Sequence, residues 1–369
     1  MRHHPFKLAW LALFAFCCCW GKIHANDGLF YTSGNQLIPF DEDQIKVSKE
    51  VLSIHLNANG TATVDVYYEF LNPEKEERSA TVGFVADAPQ FFTKEQLSGT
   101  EHPYIKNFTV EMNDSLLKCR HAVVANDSAF VRNPEIKPLD LSSYEEEESG
   151  SGNYLALRGT YLGTNICYVY YFQANFKPGV NRVHHRYTYA LGANVCVHYQ
   201  LSYKLSPALR WANHQIDNFT LRITNDGTPL HFFLNAGSVE GADEPVIASL
   251  PEKQGVGKYR VRDIRSSEYD EVKQKVFEFS LRNAGVEFHA RNFKPKAELQ
   301  LNAADCSESG IVYKTDPCKK YLCAAASDEK MSKLDELAAK HYQEAMNGKT
   351  FTNKKLQKYF ESRWWYIRK

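Results

Sequence analysis

Three groups of residues have the types and spacing to do chemistry. His184-His185-Arg186 together with His198 is the densest histidine group. His184 and His198, if their strands were adjacent, could bind a metal ion with one further carboxylate. Alternation along a strand sends His184 and His185 to opposite faces, so both cannot ligate one ion. A half-buried strand with polar residues on its outer face explains them more simply.

The cysteines form the second group. Nine are present; Cys17, Cys18 and Cys19 fall in a leader segment, which leaves Cys119, Cys167, Cys196, Cys306, Cys318 and Cys323. An even number in an oxidising compartment reads as a disulfide framework. Three precede residue 200 and three follow residue 300, so full pairing forces at least one bridge between these halves. Zinc held by Cys306, Cys318, Cys323 and Asp316 is the alternative, but the spacing lacks a CxxC pair.

The third group closes the chain. Lys349, Lys354, Lys355, Lys358, Arg363, Arg368 and Lys369 face only Glu361, and Trp364, Trp365 and Tyr366 stand among them. Arg363, Trp364, Trp365 and Tyr366 are candidates to bind a wall polymer, a lipid headgroup or a partner protein, because Trp and Tyr join large apolar area to a polar edge. In the competing arrangement, Trp365 and Tyr366 pack under local helices while the lysines stay solvated.

Other chemistry finds no foothold. There is no GxSxG elbow, no HExxH and no Gly-rich loop followed by Lys-Ser/Thr, and no motif calls for a cofactor. Pairing of the cysteines would remove a thiol nucleophile. The run Glu145–Glu148 fans its carboxylates outward and reads as a solvated loop rather than a calcium site. Sequons at Asn59, Asn107, Asn113, Asn126 and Asn218 are read as coincidental.

The elements that must position these residues begin with a leader. Arg2 and Lys7 precede an apolar run from Leu8 to Trp20, and Ala25 offers a small residue for cleavage. That is the pattern of a secretory signal peptide over residues 1–25. The run falls short of the roughly 20 residues a membrane span needs, so the mature chain is expected to be exported, periplasmic or extracellular, and not transmembrane. Lipid attachment at Cys17–Cys19 is the weaker alternative, because Phe16 precedes the first of them. Lys plus Arg equals Asp plus Glu, 44 against 44 in 369 residues, so no global field draws nucleic acid.

Tyr and Phe number 21 and 22, and such rings suit the pleated surface of a sheet. Residues 51–56 and 61–70 are β-branched and aromatic runs around Asn57-Ala58-Asn59-Gly60, which reads as a hairpin. Further strands are expected at 80–85, 107–112, 166–172, 181–190, 195–203, 219–223, 259–261, 276–281, 286–290 and 297–301. The fold class is therefore mainly β, an antiparallel sandwich-like body built as two packed sheets or as lobes. Residues 133–153, acidic and Gly/Ser-rich, read as an exposed loop. From Ser327 a capped helix runs to Gly348, and a second begins near Asn353. Together they form a small C-terminal helical hairpin.

Phe351, Leu356-Gln357-Lys358-Tyr359-Phe360 and Trp365-Tyr366 resemble the second half of the YARHG domain of bacterial exported proteins. At the position of the named motif this chain has Glu344-Ala345-Met346-Asn347-Gly348, of which Ala345 and Gly348 match. The preceding part resembles the bacterial domain of unknown function that often comes before YARHG. The stretches that carry this are 26–28, 45–54, 64–72, 176–179 and 183–187. The resemblance implies a β-rich domain over 26–325, a helical YARHG-like domain over 326–369, and no reaction.

These readings lead to an exported, non-enzymatic recognition protein of the bacterial envelope. Its partner is expected to be a cell-wall polymer or an envelope protein. A wall-polymer hydrolase with carboxylates in a β cleft is the alternative, and self-assembly through sheet edges is a third course.

Overall fold

The computed structural model describes residues 38–39, 44–87, 101–125, 136, 138–140, 142, 144–149, 152–157, 160–161, 166–194, 197–226, 229–251, 254–264, 274–303 and 332–369. The signal-peptide assignment, Cys196, Cys306, Cys318, Cys323, Asn126 and the Ser327 cap lie outside these residues.

The expected hairpin is the centre of the fold. Thr61–Asn72 alternates strictly between buried and half-exposed residues. Ala62, Val64, Val66, Tyr68 and Phe70 face inward, while Thr63, Asp65, Tyr67 and Glu69 face out, as a period of two requires. Its partner Lys46–Leu56 pairs antiparallel from Lys46 opposite Leu71 to Leu56 opposite Ala62. Gly60 takes φ +76° at the turn, where a side chain would be strained. Asn59 Oδ1 accepts from Thr61 N and Oγ1 at 3.3 and 2.7 Å, closing the turn.

That hairpin sits within an eight-stranded sheet. In spatial order the strands are Val246–Ser249, Ala284–Phe293, Ile216–Asn225, Lys46–Leu56, Thr61–Asn72, Gly179–Ala190, Ile105–Met112 and Ser115–Leu116. Ile216–Asn225 runs parallel to Lys46–Leu56; the other described pairings are antiparallel. This parallel pair joins a half made early in the chain to a half made late.

Two smaller sheets pack on the inner face of the large one. The four-stranded sheet, in order Ile38–Pro39, Arg78–Asp87, Ile166–Phe176 and Arg120–Ala125, covers the early half. Phe84 meets Tyr187 at 5.1 Å and Tyr170 meets Phe108 at 4.7 Å between ring centroids. The six-stranded sheet, in order Gly192–Asn194, Val197–Tyr203, Leu299–Ala303, Leu230–Asn235, Gln274–Arg282 and Val256–Ile264, covers the late half. There Phe277 and Phe279 meet Phe288 at 5.3 and 6.0 Å. The body is thus two sandwiches sharing one long sheet. Each fully buried ring contributes on the order of 1.5–3 kcal/mol, so the shared sheet ties both cores together.

One local expectation changes. Glu145–Ser149 is a strand paired with Gly152–Leu157, from Glu145 opposite Ala156 to Ser149 opposite Gly152.

The tail folds as three short helices: α1 (Lys333–Lys340), α2 (Tyr342–Met346) and α3 (Lys354–Glu361). Ser332 caps α1 in a reciprocal box with Asp335. Asn353 caps α3, its Oδ1 accepting from Lys355 N and Leu356 N. Gly348, at φ +77°, turns the chain between α2 and α3. A Cβ there would collide with the Arg282 guanidinium and lie 2.6 Å from Ile367 O, so the turn requires glycine twice over.

Candidate functional site

The tail residues proposed for binding are placed by the tail's own packing. Trp365 and Tyr366 are 3% and 5% exposed and share a core with Ala338, Tyr342, Leu356 and Phe360. The expectation that they present a binding surface is corrected: three short helices have too little apolar area to close without them. Arg363 lies over the Tyr359 ring at 4.1 Å. Trp364, half-buried, lies between Arg260, 4.4 Å from its ring, and His231, whose ring meets it edge-on at 5.4 Å.

The tail therefore docks on the outer face of the six-stranded sheet. Lys258 Nζ, Ser280 Oγ and Arg282 Nη1 donate to the carbonyls of Tyr366, Trp365 and Ile367 at 2.9, 3.0 and 3.0 Å. Beneath Trp364 the Glu278 carboxylate has no exposed surface. Arg260 and Arg262 reach it at 2.6 and 3.2 Å, and His231 at 3.2 Å. Register sets the cluster: Arg260 lies opposite Glu278, and His231 opposite Ser280. A carboxylate at this depth holds only because cations surround it.

The open surface is the outer face of the eight-stranded sheet, where pairing builds a ladder of polar contacts. Asp65 Oδ1 bonds His184 Nε2 at 2.9 Å, and Asp65 Oδ2 lies 3.9 Å from Arg186 Nε. Glu69 takes Lys49 at 3.5 Å and the Tyr67 hydroxyl at 3.0 Å. Burial and the neighbouring carboxylate both push the Tyr67 phenol up. On the late half, Glu287 pairs with Arg222 at 2.7 Å and with His289 at 3.2 Å. The other ring nitrogen of His289 meets Thr220 Oγ1 at 3.2 Å.

A connected trio bridges the two halves. His55 Nδ1 meets Thr224 Oγ1 at 2.9 Å, and His55 Nε2 meets Asp226 Oδ1 at 2.8 Å. Asp226 Oδ2 accepts from Ala58 N at 2.6 Å. The His55 hydrogen bond, with that of Ala58, holds the Asp226 carboxyl below its usual range. A Cβ at Gly285 would lie 2.7 Å from the Thr224 methyl, so glycine leaves Thr224 room to keep its hydroxyl on His55. Sequence reasoning missed this trio, because it depends on the parallel register that sets Thr224 opposite His55.

The histidine and cysteine expectations resolve as follows. His184 faces out and His185 is buried, as alternation requires. The strand carrying His198 belongs to the six-stranded sheet, not beside His184. Among the described residues no group of three His, Cys, Asp or Glu could hold a metal ion. Among the described residues Cys119 and Cys167 carry free thiols and are not bridged to each other. Burial pushes them up to about 11 and about 12. In the strand pairing Cys167 lies opposite Val124 while Cys119 precedes Arg120, which lies opposite Tyr171, so the two cannot face each other. A shallow depression, lined by Pro73, Glu74, Glu76 and Glu77 among others, belongs to the turn between two strands.

No family model and no curated protein matches the chain. Among solved structures, one described as a "putative nutrient binding protein" from Legionella pneumophila has a TM-score of 0.51 at 17% identity, covering 91% of each chain. An M1 zinc metallopeptidase from Deinococcus radiodurans has a TM-score of 0.25 at 9% identity, covering 68% of this chain and 43% of its own. The first likeness establishes a shared fold. Among the described residues no helix is long and apolar enough to cross a membrane.

Proposed function

We propose that this is an exported, non-enzymatic recognition protein of the bacterial envelope, and that the open face of its eight-stranded sheet takes a cell-wall polymer. The observation that carries the reading is the polar ladder on that face. Lys49, Arg186 and Arg222 are matched by Glu69, Asp65 and Glu287, with Tyr67, Thr220 and Thr224 hydroxyls between them. Such a face offers paired donors and acceptors rather than one sign of charge. That suits the hydroxyls and amides of a glycan better than a polyanion. A binding role also accords with the description of the Legionella protein that shares the fold. Export rests on the signal-peptide pattern and the YARHG resemblance. The tail, in this account, braces the body rather than reaching for a ligand.

Hydrolysis of a wall polymer is the second reading, favoured by the Thr224–His55–Asp226 trio, in which a carboxylate orients a histidine against a hydroxyl. One experiment separates the two: co-sedimentation with purified sacculi, followed by analysis of the supernatant. Retention in the pellet without soluble fragments supports recognition. Fragments whose release His55→Ala abolishes support hydrolysis. No retention and no fragments would overturn both and point to a protein partner.

A further inference from the structure

The strand Gly179–Ala190 carries a second histidine that the open face does not use. His185 points inward, has no exposed surface, and among the described residues neither ring nitrogen has a hydrogen-bond partner. Aromatic rings enclose it: Tyr68 at 5.7 Å, Phe84 at 5.8 Å, Phe108 at 5.9 Å and Tyr187 at 6.1 Å between centroids. Tyr68, Phe108 and Tyr187 belong to the eight-stranded sheet and Phe84 to the four-stranded sheet. The imidazole therefore sits at the seam of the first sandwich. Its neighbours along the strand's inner face, Val183, Tyr187 and Tyr189, are the residues an inner face calls for. A histidine among them gives up its bonds to water and receives none in return.

We propose that His185 makes this seam an acid-triggered joint, one proton on its ring opening the first sandwich while the second stays closed. The surroundings leave that proton nowhere to be welcome. From the strand Thr61–Asn72 the ring faces the Tyr68 phenol, from its own strand the Tyr187 phenol, and from the other two packed strands only Phe84 and Phe108. Tyr170, on Ile166–Phe176, stands one ring further out, against Phe84 and Phe108. Phenols carry no negative charge in acid. The charged group that acts on the ring is His184 on the opposite face, and its charge opposes protonation.

The second sandwich is built differently. Its buried His231 lies 3.2 Å from the Glu278 carboxylate, a polar partner of the kind His185 lacks. Acid should therefore separate the two halves of one molecule.

Burial, with the His184 charge, lowers His185 to about 3 from an ordinary 6.5. The open state takes the proton at the ordinary value, so opening grows about tenfold per pH unit from 6.5 down to about 3. At pH 5 the gain over pH 7.5 is about 30-fold for this one group.

The test is hydrogen exchange of the full chain at pH 7.5 and 5.0, corrected for intrinsic rates, in wild type, His185→Phe and His185→Leu. Two replacements guard against one of them packing poorly. The expected result is a wild-type gain on acidification about 30-fold larger than in either variant, confined to Arg78–Asp87, Ile166–Phe176 and Gly179–Ala190. Amides of Leu230–Asn235 and Gln274–Arg282 should respond alike in all three proteins. An equal response of variants and wild type, or a difference spread evenly over both sandwiches, would overturn the proposal.

Discussion

Arg260 lays its guanidinium over the Trp364 ring, 4.4 Å from the centroid, and so joins the six-stranded sheet to the last turn of the tail. A cation on an indole face is worth about 0.5–2 kcal/mol as the site dries. Trp364→Ala should destabilise the protein by about 2–3 kcal/mol, since buried ring area is lost as well. Arg260→Ala should cost a comparable amount. A double-mutant cycle by urea unfolding should show coupling of about 1 kcal/mol; simple additivity would mean the two residues act independently.

Glu278 should be the least tolerant charged position of that junction. It is fully buried among Arg260, Arg262 and His231. Removing one partner of a buried ionic group typically costs about 3–5 kcal/mol, because the cations are left without compensation. Glu278→Ala should fall in that range and Glu278→Gln below it. Thermal melts of the two variants against wild type would show this ordering, and an Ala variant as stable as wild type would contradict it.

His102 gives the first sandwich a second acid-sensitive group. Its Nε2 bonds the Asp87 carbonyl at 3.0 Å, its Nδ1 accepts from Tyr104 N, and burial lowers it to about 4. The unfolded chain binds this proton near pH 6.5, so the stability tied to a neutral His102 is present in full above that value. It drains as the pH falls from 6.5 to about 4 and is gone below. Denaturant unfolding between pH 7.5 and 4.5 should thus show a steeper loss in wild type than in His102→Gln. Parallel curves would argue against it.

The cysteines can be sorted by alkylation and peptide mapping. Cys167 is fully buried and Cys119 half-buried, so native alkylation should modify Cys119 first, with Cys167 reacting only on unfolding. With these two free, Cys196 stands alone before residue 200 against Cys306, Cys318 and Cys323. Mapping under non-reducing conditions should find Cys196 bridged to one of those three. A Cys119–Cys167 bridge would contradict the strand register.

Much of this architecture was legible from local pattern. Thr61–Asn72 announces itself by strict alternation, Gly60 by its turn, and Asn353 and Gly348 by the ends of helices they mark. Long-range consequences were not legible. Nothing near His55 signals that Thr224 will lie beside it, because parallel pairing leaves no turn between its strands to read. Glu145–Glu148 looked like a loop because charge outweighs periodicity in so short a run. The tail's aromatics were read as candidate binders, yet a module this small needs them for its own core. Met346 illustrates the same point: it is buried in that core, where the charge of an arginine would go unpaired.

The central claim is that recognition belongs to the open face of the eight-stranded sheet and not to the tail. Sedimentation with sacculi of wild type, an Arg186→Glu/Arg222→Glu double variant and Trp364→Ala tests it directly. The account predicts that the double variant, with its fold intact by circular dichroism, loses at least about tenfold in affinity, roughly 1.4 kcal/mol, while Trp364→Ala still binds. Undiminished binding by the double variant, or a loss confined to Trp364→Ala, would contradict it.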